Sequence, residues 1–194
     1  MLYAPKPLRQ RYYLLLALDA QLARIALMRR EPGLAQLKLA WWRDTLANPP
    51  ASGHPLVAEL ASVWTDAAPA LIGLVDAWEE VAVDSSLRNA AEQVADARAH
   101  AFAAAAAAPA DDRCRSAARR WTLVTLSAHA PDQEQRTAML AAAHGIAPVK
   151  LPRQLRPLAL LDGMARRTAR RGGGALLGDR LSPLAALRLG IFGR

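Results

Sequence analysis

An all-α fold, a single orthogonal bundle of about eight helices, follows from three features of the sequence. Hydrophobic residues make up 53% of the 194 residues, much of that alanine and leucine with few β-branched side chains, a mixture that favours helices. Apolar side chains recur at helical spacing in one segment after another, and no strand-like alternation of useful length occurs. Breaks rich in proline, glycine, asparagine and aspartate separate those segments. At this length the chain is most simply one domain, residues 1–194, large enough to bury a substantial core.

The elements follow in order. A first helix runs through Arg11–Ile25. Pro32 suits the first turn of the second, where its missing N–H is not needed. Leu34, Leu37, Leu39, Trp41, Trp42 and Leu46 leave little of that helix polar, so most of it should be buried. Trp41 and Trp42 lie about 100° apart and cannot share a narrow stripe. One should fill the core while the other faces a cavity, a neighbouring helix or a partner. Asn48–Pro55 is a break. Leu56, Leu60, Val63 and Trp64 mark a third helix stopped near Pro69, and Leu71, Leu74, Val75, Trp78 and Val81 a fourth. Ser85 or Ser86 caps the next, through Phe102 and the alanine run 103–108, and Asp111 or Asp112 caps one reaching about His129. Asp132 starts a short helix ending at Gly145, a favourable place for left-handed backbone. Residues 154–171 form a further helix, Gly172–Gly174 a flexible joint, and Ser182-Pro183 opens the last short helix.

Charge is unevenly spread over a net +8. Residues 1–43 carry +6, residues 44–149 carry −6 and residues 150–194 carry +8. Basic ends around an acidic middle suggest an anionic partner: a phosphate, a membrane surface or an acidic protein. Arginine outnumbers lysine 22 to 3, which reads as base-composition bias as much as design. The single cysteine, Cys114, excludes an intramolecular disulfide and fits a reducing compartment. Nearby Arg113, Arg115, Arg119 and Arg120 would lower its pKa, yet no basic partner such as a histidine stands close in sequence, and a small buried residue is the favoured reading. Arg9, Arg11, Asp19 and Arg24 interrupt the N-terminal apolar segment, against a signal peptide. No window approaches the roughly 20 apolar residues of a spanning helix. A cytoplasmic protein, soluble or peripheral to a membrane, is expected.

The segment Arg11-Tyr-Tyr-Leu-Leu-Leu-Ala-Leu-Asp-Ala-Gln-Leu-Ala-Arg-Ile25, followed by Glu31–Leu46 with Trp41-Trp42-Arg43-Asp44, resembles the squalene/phytoene synthase family. That family has an early helix reading roughly R-x-x-x-A-L-x-A-F and then a segment ending in a W-W-R-D-like string. Leu71–Ala77, Leu151-Pro152 and Leu155–Ala159 agree more loosely, so the likeness spans most of the chain and is specific over about residues 11–46. The resemblance implies an isoprenoid-synthase-like helical fold. It also implies a head-to-head condensation of two prenyl diphosphates, with Mg²⁺ held by two D-x-x-x-D motifs on facing helices.

This chain departs from that chemistry. Setting Ala17-Leu18 against the family's A-F puts the first motif on Ala23 and Leu27, with Arg24 between them. The second is expected within 118–131, a stretch without a carboxylate. The family's Y-C-x-x-V-A-G pattern falls on Ala90–Asp96 and loses its tyrosine and glycine. The expected function is therefore that of a divergent, non-catalytic member, a pseudoenzyme acting in assembly, lipid binding or partner docking, without a cofactor. One eukaryotic branch of the family resembles an assembly factor for respiratory complex I. The alternative is an active prenyl transferase in isoprenoid biosynthesis, with Mg²⁺ on relocated ligands.

Candidate residues are few. Asp76, Glu80 and Asp84 form a carboxylate ladder that reads as a solvated face, an interaction surface or a metal site. Arg11, Arg24 and Arg43 can bind a diphosphate bidentately, or pair with Asp19, Glu31 or Asp44. Trp41 and Trp42 are candidate pocket residues. Arg166, Arg167, Arg170 and Arg171 gather on one side of their helix, as an ordinary surface or as one that docks on an anionic membrane. Nucleic acid has no motif in its favour. His54, His100, His129 and His144 lack ligand spacing, and no phosphate loop, nucleophile elbow or zinc motif is present. The partners expected are a protein, a prenyl lipid or an anionic membrane surface.

Overall fold

Residues 5–28, 30–50, 53–83, 86–174 and 176 are described by a computed structural model, and no strand occurs among them. They form α1 (Arg9–Ala26), α2 (Pro32–Ala47), α3 (Pro55–Val63), α4 (Ala68–Val83), α5 (Leu87–Ala105), α6 (Asp112–Ser127), α7 (Gln133–Gly145) and α8 (Arg156–Arg170). Short 3₁₀ turns at Lys6–Leu8 and Arg153–Leu155 lead into α1 and α8. The architecture is an all-α bundle. The helix expected from Ser182-Pro183 lies outside the described residues.

Helix starts sit where side chains satisfy the free N–H groups of a first turn. Ser86 accepts from the Asn89 N–H, Asp111 from Cys114 at 2.9 Å and Asp132 from Gln135 at 2.7 Å. Pro32 and Pro55 open α2 and α3. Two endings and one terminal conformation differ from the sequence reading. Pro69 lies in the first turn of α4, where proline is tolerated, and does not stop α3, which ends at Val63. The alanine run leaves the helix at Ala105, because Pro109 disfavours helical backbone at Ala108 and Ala107 turns left-handed at φ 49°. α7 does end at Gly145, but Gly145 is not left-handed; the chain leaves the helix because Ile146 is extended. Further on, Gly172, Gly173 and Gly174 have positive φ, at 77°, 110° and 110°. Gly173 donates to the Thr168 carbonyl and lies so close to α7 that a Cβ would meet Leu140 at 3.1 Å.

α5 occupies the middle, packed on α4 and α6, while α2 packs on α4, and α6 also carries α7 and α8. α5 contributes mostly alanine to the interior, with Ala90, Ala91, Ala99, Ala101 and Ala105 fully buried, and α6 adds the small buried Cys114, Ala117 and Ala118. Small side chains let the two backbones approach, and the Cys114 Sγ reaches the Ala99 carbonyl at 3.4 Å. Larger groups fill the space around this seam: Leu15, Leu18 and Leu22 from α1, Leu39 and Trp42 from α2, Leu71, Leu74 and Trp78 from α4. Tyr12, Phe102 and Trp121 form a chain of aromatic contacts, tilted for the first pair and edge to face for the second, with ring centroids 5.6 and 5.8 Å apart.

Candidate functional site

Two arginines are sealed inside the bundle, and they decide what its interior can do. Arg98 of α5 is 3% exposed. Its Nη2 donates to Asp19 Oδ2 of α1 at 2.8 Å and its Nε to Oδ1 at 3.1 Å, a bidentate pair. Trp78 of α4 donates its indole N–H to the same Oδ1 at 2.9 Å. Arg98 Nη1 donates to Thr122 Oγ1 of α6 at 3.0 Å, and its guanidinium lies 3.8 Å from the Trp121 ring centroid. A cation taken from water is thus compensated by a carboxylate, a hydroxyl and an aromatic face.

Arg120 of α6 is fully buried and pairs with Asp162 of α8. It also donates to the Ile146 and Ala147 carbonyls, both at 2.7 Å, which ties the end of α7 to the pair. Burial pushes the Asp162 carboxyl up to about 6, against the downward pull of Arg120. Arg120 Nε has no hydrogen-bond partner among the described residues.

The inward-facing aspartates Asp19 and Asp162 are therefore each held by an arginine. Ala23 and Leu27, where the family resemblance puts the first metal motif, are partly buried hydrocarbon side chains packed on the core. The stretch 118–131 supplies Arg120, Trp121 and Thr122 to the interior. Among the described residues no group of three or more His, Cys, Asp or Glu side chains could hold a metal ion together. These residues do not fit a Mg²⁺–diphosphate platform.

A cleft of about 460 Å³ lies elsewhere, between α1 and α2. Gln21, Arg24, Ile25 and Met28 form one wall; Leu37, Lys38, Trp41 and Trp42 form the other, and His54 closes an end. The two tryptophans diverge as their spacing requires: Trp42 is 2% exposed and Trp41 46%. Three rings meet edge to face at the closed end, with centroids 5.2 Å apart for Trp41–Trp42 and 5.3 Å for Trp42–His54. His54 is fixed by its role as the cap of α3, its Nδ1 accepting the Leu56 N–H at 3.2 Å. In the neutral ring the proton is then on Nε2. Arg24 and Lys38 stand on opposite walls, Arg24 donating to Gln21 at 2.9 Å. Aliphatic and aromatic side chains beside two cations match the chemistry of a hydrocarbon with an anionic head. A smaller apolar cavity of about 230 Å³ separates the end of α2 from α3 and the start of α4, lined by Leu46, Val57, Leu60, Trp64 and Leu71.

The three candidate diphosphate arginines do not converge. Only Arg24 lines the cleft. Arg11 pairs with Asp66, donates to the Ala104 carbonyl at 3.4 Å and lies over the Trp64 ring. Arg43 pairs with Asp76 and Glu79 of α4. The partners differ from the Asp19, Glu31 and Asp44 expected: Asp19 faces inward to Arg98, Arg11 reaches Asp66 in the turn before α4, and Arg43 reaches across to α4. Arg43 also claims the first rung of the carboxylate ladder; Glu80 is exposed and Asp84 lies outside the described residues. On α8, Arg166 and Arg167 are half-buried, and Arg170 and Arg171 are exposed. Cys114 is buried, and desolvation raises its thiol to about 11, the reverse of activation by the neighbouring arginines.

Asp19, Arg98, Arg120 and Asp162 were the residues that sequence reasoning missed. The signal was present for Arg98, which falls four residues after Val94 and four before Phe102, on the apolar stripe of α5. No helix among the described residues is long and apolar enough to cross a membrane. Comparison with protein-family models, with curated proteins and with solved structures gives no match to this chain.

Proposed function

We propose that the chain is a non-catalytic protein of the squalene/phytoene synthase type, which binds an amphiphile and does not transform it. The observation that carries this reading is the clamping of both inward carboxylates, Asp19 by Arg98 and Asp162 by Arg120. A carboxylate already neutralised by a buried guanidinium offers a cation no net negative charge, and displacing the arginine would strand its charge in the core. The ligand site in this reading is the α1–α2 cleft, with the hydrocarbon on Ile25, Met28, Trp41 and Trp42 and the anionic head between Arg24 and Lys38. A prenyl phosphate or an acyl phosphate has that chemistry.

The test is calorimetric titration of the full chain with a non-hydrolysable farnesyl diphosphate analogue, with and without Mg²⁺. Binding that is indifferent to Mg²⁺ and weakened several-fold in the Arg24→Gln/Lys38→Gln variant is the expected result. Tight binding that requires Mg²⁺, with product formed from farnesyl diphosphate, would overturn the proposal in favour of an active prenyl transferase. Asp76→Ala and Glu80→Ala would then be the first variants to assay.

A further inference from the structure

Among the described residues, the outer face of α2 carries large apolar side chains that stay partly exposed. Leu34, Leu37 and Trp41 are 40%, 71% and 46% exposed. They stand at i, i+3 and i+7, so they form one ridge along the helix. This is unusual for a helix that also supplies Leu39, Trp42 and Leu46 to the core. Lys38 and Arg24 flank the ridge on the cleft side and Arg30 is exposed at its N-terminal end, while Glu31 and Asp44 lie at the two ends. Residues 1–43 as a whole carry +6.

We infer that this ridge docks the protein on an anionic lipid bilayer, with α2 lying in the interface plane. Leucines that enter the acyl boundary, a half-exposed tryptophan at headgroup depth and cations beside them form the pattern by which a helix rests on a membrane. The charge chooses between occupants: a basic flank attracts acidic headgroups, and it would oppose a second copy of the same positively charged face. The ridge is a better candidate than α8, whose described residues expose no large hydrophobic side chain beside their arginines. The inference is independent of whether the cleft binds a ligand. Leu37, Lys38 and Trp41 belong to both, so a docked cleft would open toward the bilayer.

Cosedimentation of the full chain with phosphatidylcholine vesicles, with and without phosphatidylglycerol, tests it. Wild-type protein should sediment with the anionic vesicles and be released by salt. Leu37→Ser/Trp41→Ser should lower partitioning by at least about tenfold while leaving the helical circular dichroism unchanged, since both side chains are already exposed. As a second readout, the fluorescence lost in Trp41→Phe should shift to the blue when vesicles are added to wild type. No sedimentation of folded wild type, or a ridge variant that sediments like it, would overturn the inference. A ridge variant that changes oligomeric state while vesicle binding is unaltered would also overturn it and make the ridge a protein interface. Failure of the farnesyl diphosphate titration would leave this result untouched, which keeps the two proposals separable.

Discussion

Among individual residues the largest energies sit with Arg98 and Asp162. Arg98→Met would leave the Asp19 carboxylate in the core with only the Trp78 indole N–H, an uncompensated buried charge. A loss of about 3–5 kcal/mol is expected, read as a lower urea midpoint at unchanged slope. Asp162 makes a different prediction. Its carboxyl is raised from 3.8 to about 6 because burial disfavours the charged form. A raised folded-state pKa favours the protonated native state, so this contribution is complete below about pH 4 and is lost as pH rises through about 6. Stability measured across that window should therefore fall more steeply with pH in wild type than in Asp162→Asn, and equal slopes would contradict it.

For the helices, the sequence readily shows where each begins and less readily where it ends. Pro32, Ser86, Asp111 and Asp132 mark starts because capping and proline placement depend on a few adjacent residues. The end of α5 failed, because Pro109 acts from beyond the alanine run and the helix stops at Ala105, while α7 does end at Gly145, through an extended Ile146. The cost of the first case is visible in Ala107, an alanine at φ 49°. Ala107→Gly should raise stability by up to about 1 kcal/mol, a higher melting temperature by calorimetry, because glycine adopts that backbone without its Cβ penalty. The candidate site was legible in part. Trp41 and Trp42 had to diverge on any helix, and both line the cleft. The partners of Arg11 and Arg43 were not legible, since Asp66 and Asp76 come from segments that only the tertiary packing brings near.

On the scale of the whole molecule, Cys114 reports on the stability of the entire bundle. Its thiol is raised to about 11 and has no exposed surface, with α5 directly against it. Reaction with an aromatic disulfide reagent at mild alkaline pH should therefore be slow in native protein and complete after denaturation, at a rate that tracks global opening. Rapid native labelling would mean that the α5–α6 seam opens locally. That seam has one further consequence. Alanine against alanine is a nearly featureless rail, along which one helix can shift by a turn and still find methyl groups to touch. Arg98 acts as a pin through that rail, held by Asp19 of α1 and reaching Thr122 of α6: a slip of α5 by one turn would pull its guanidinium from both and leave unpaired charge in hydrocarbon. The same arginine that holds the inward Asp19 thus gives a slippery interface a single position in which to stop.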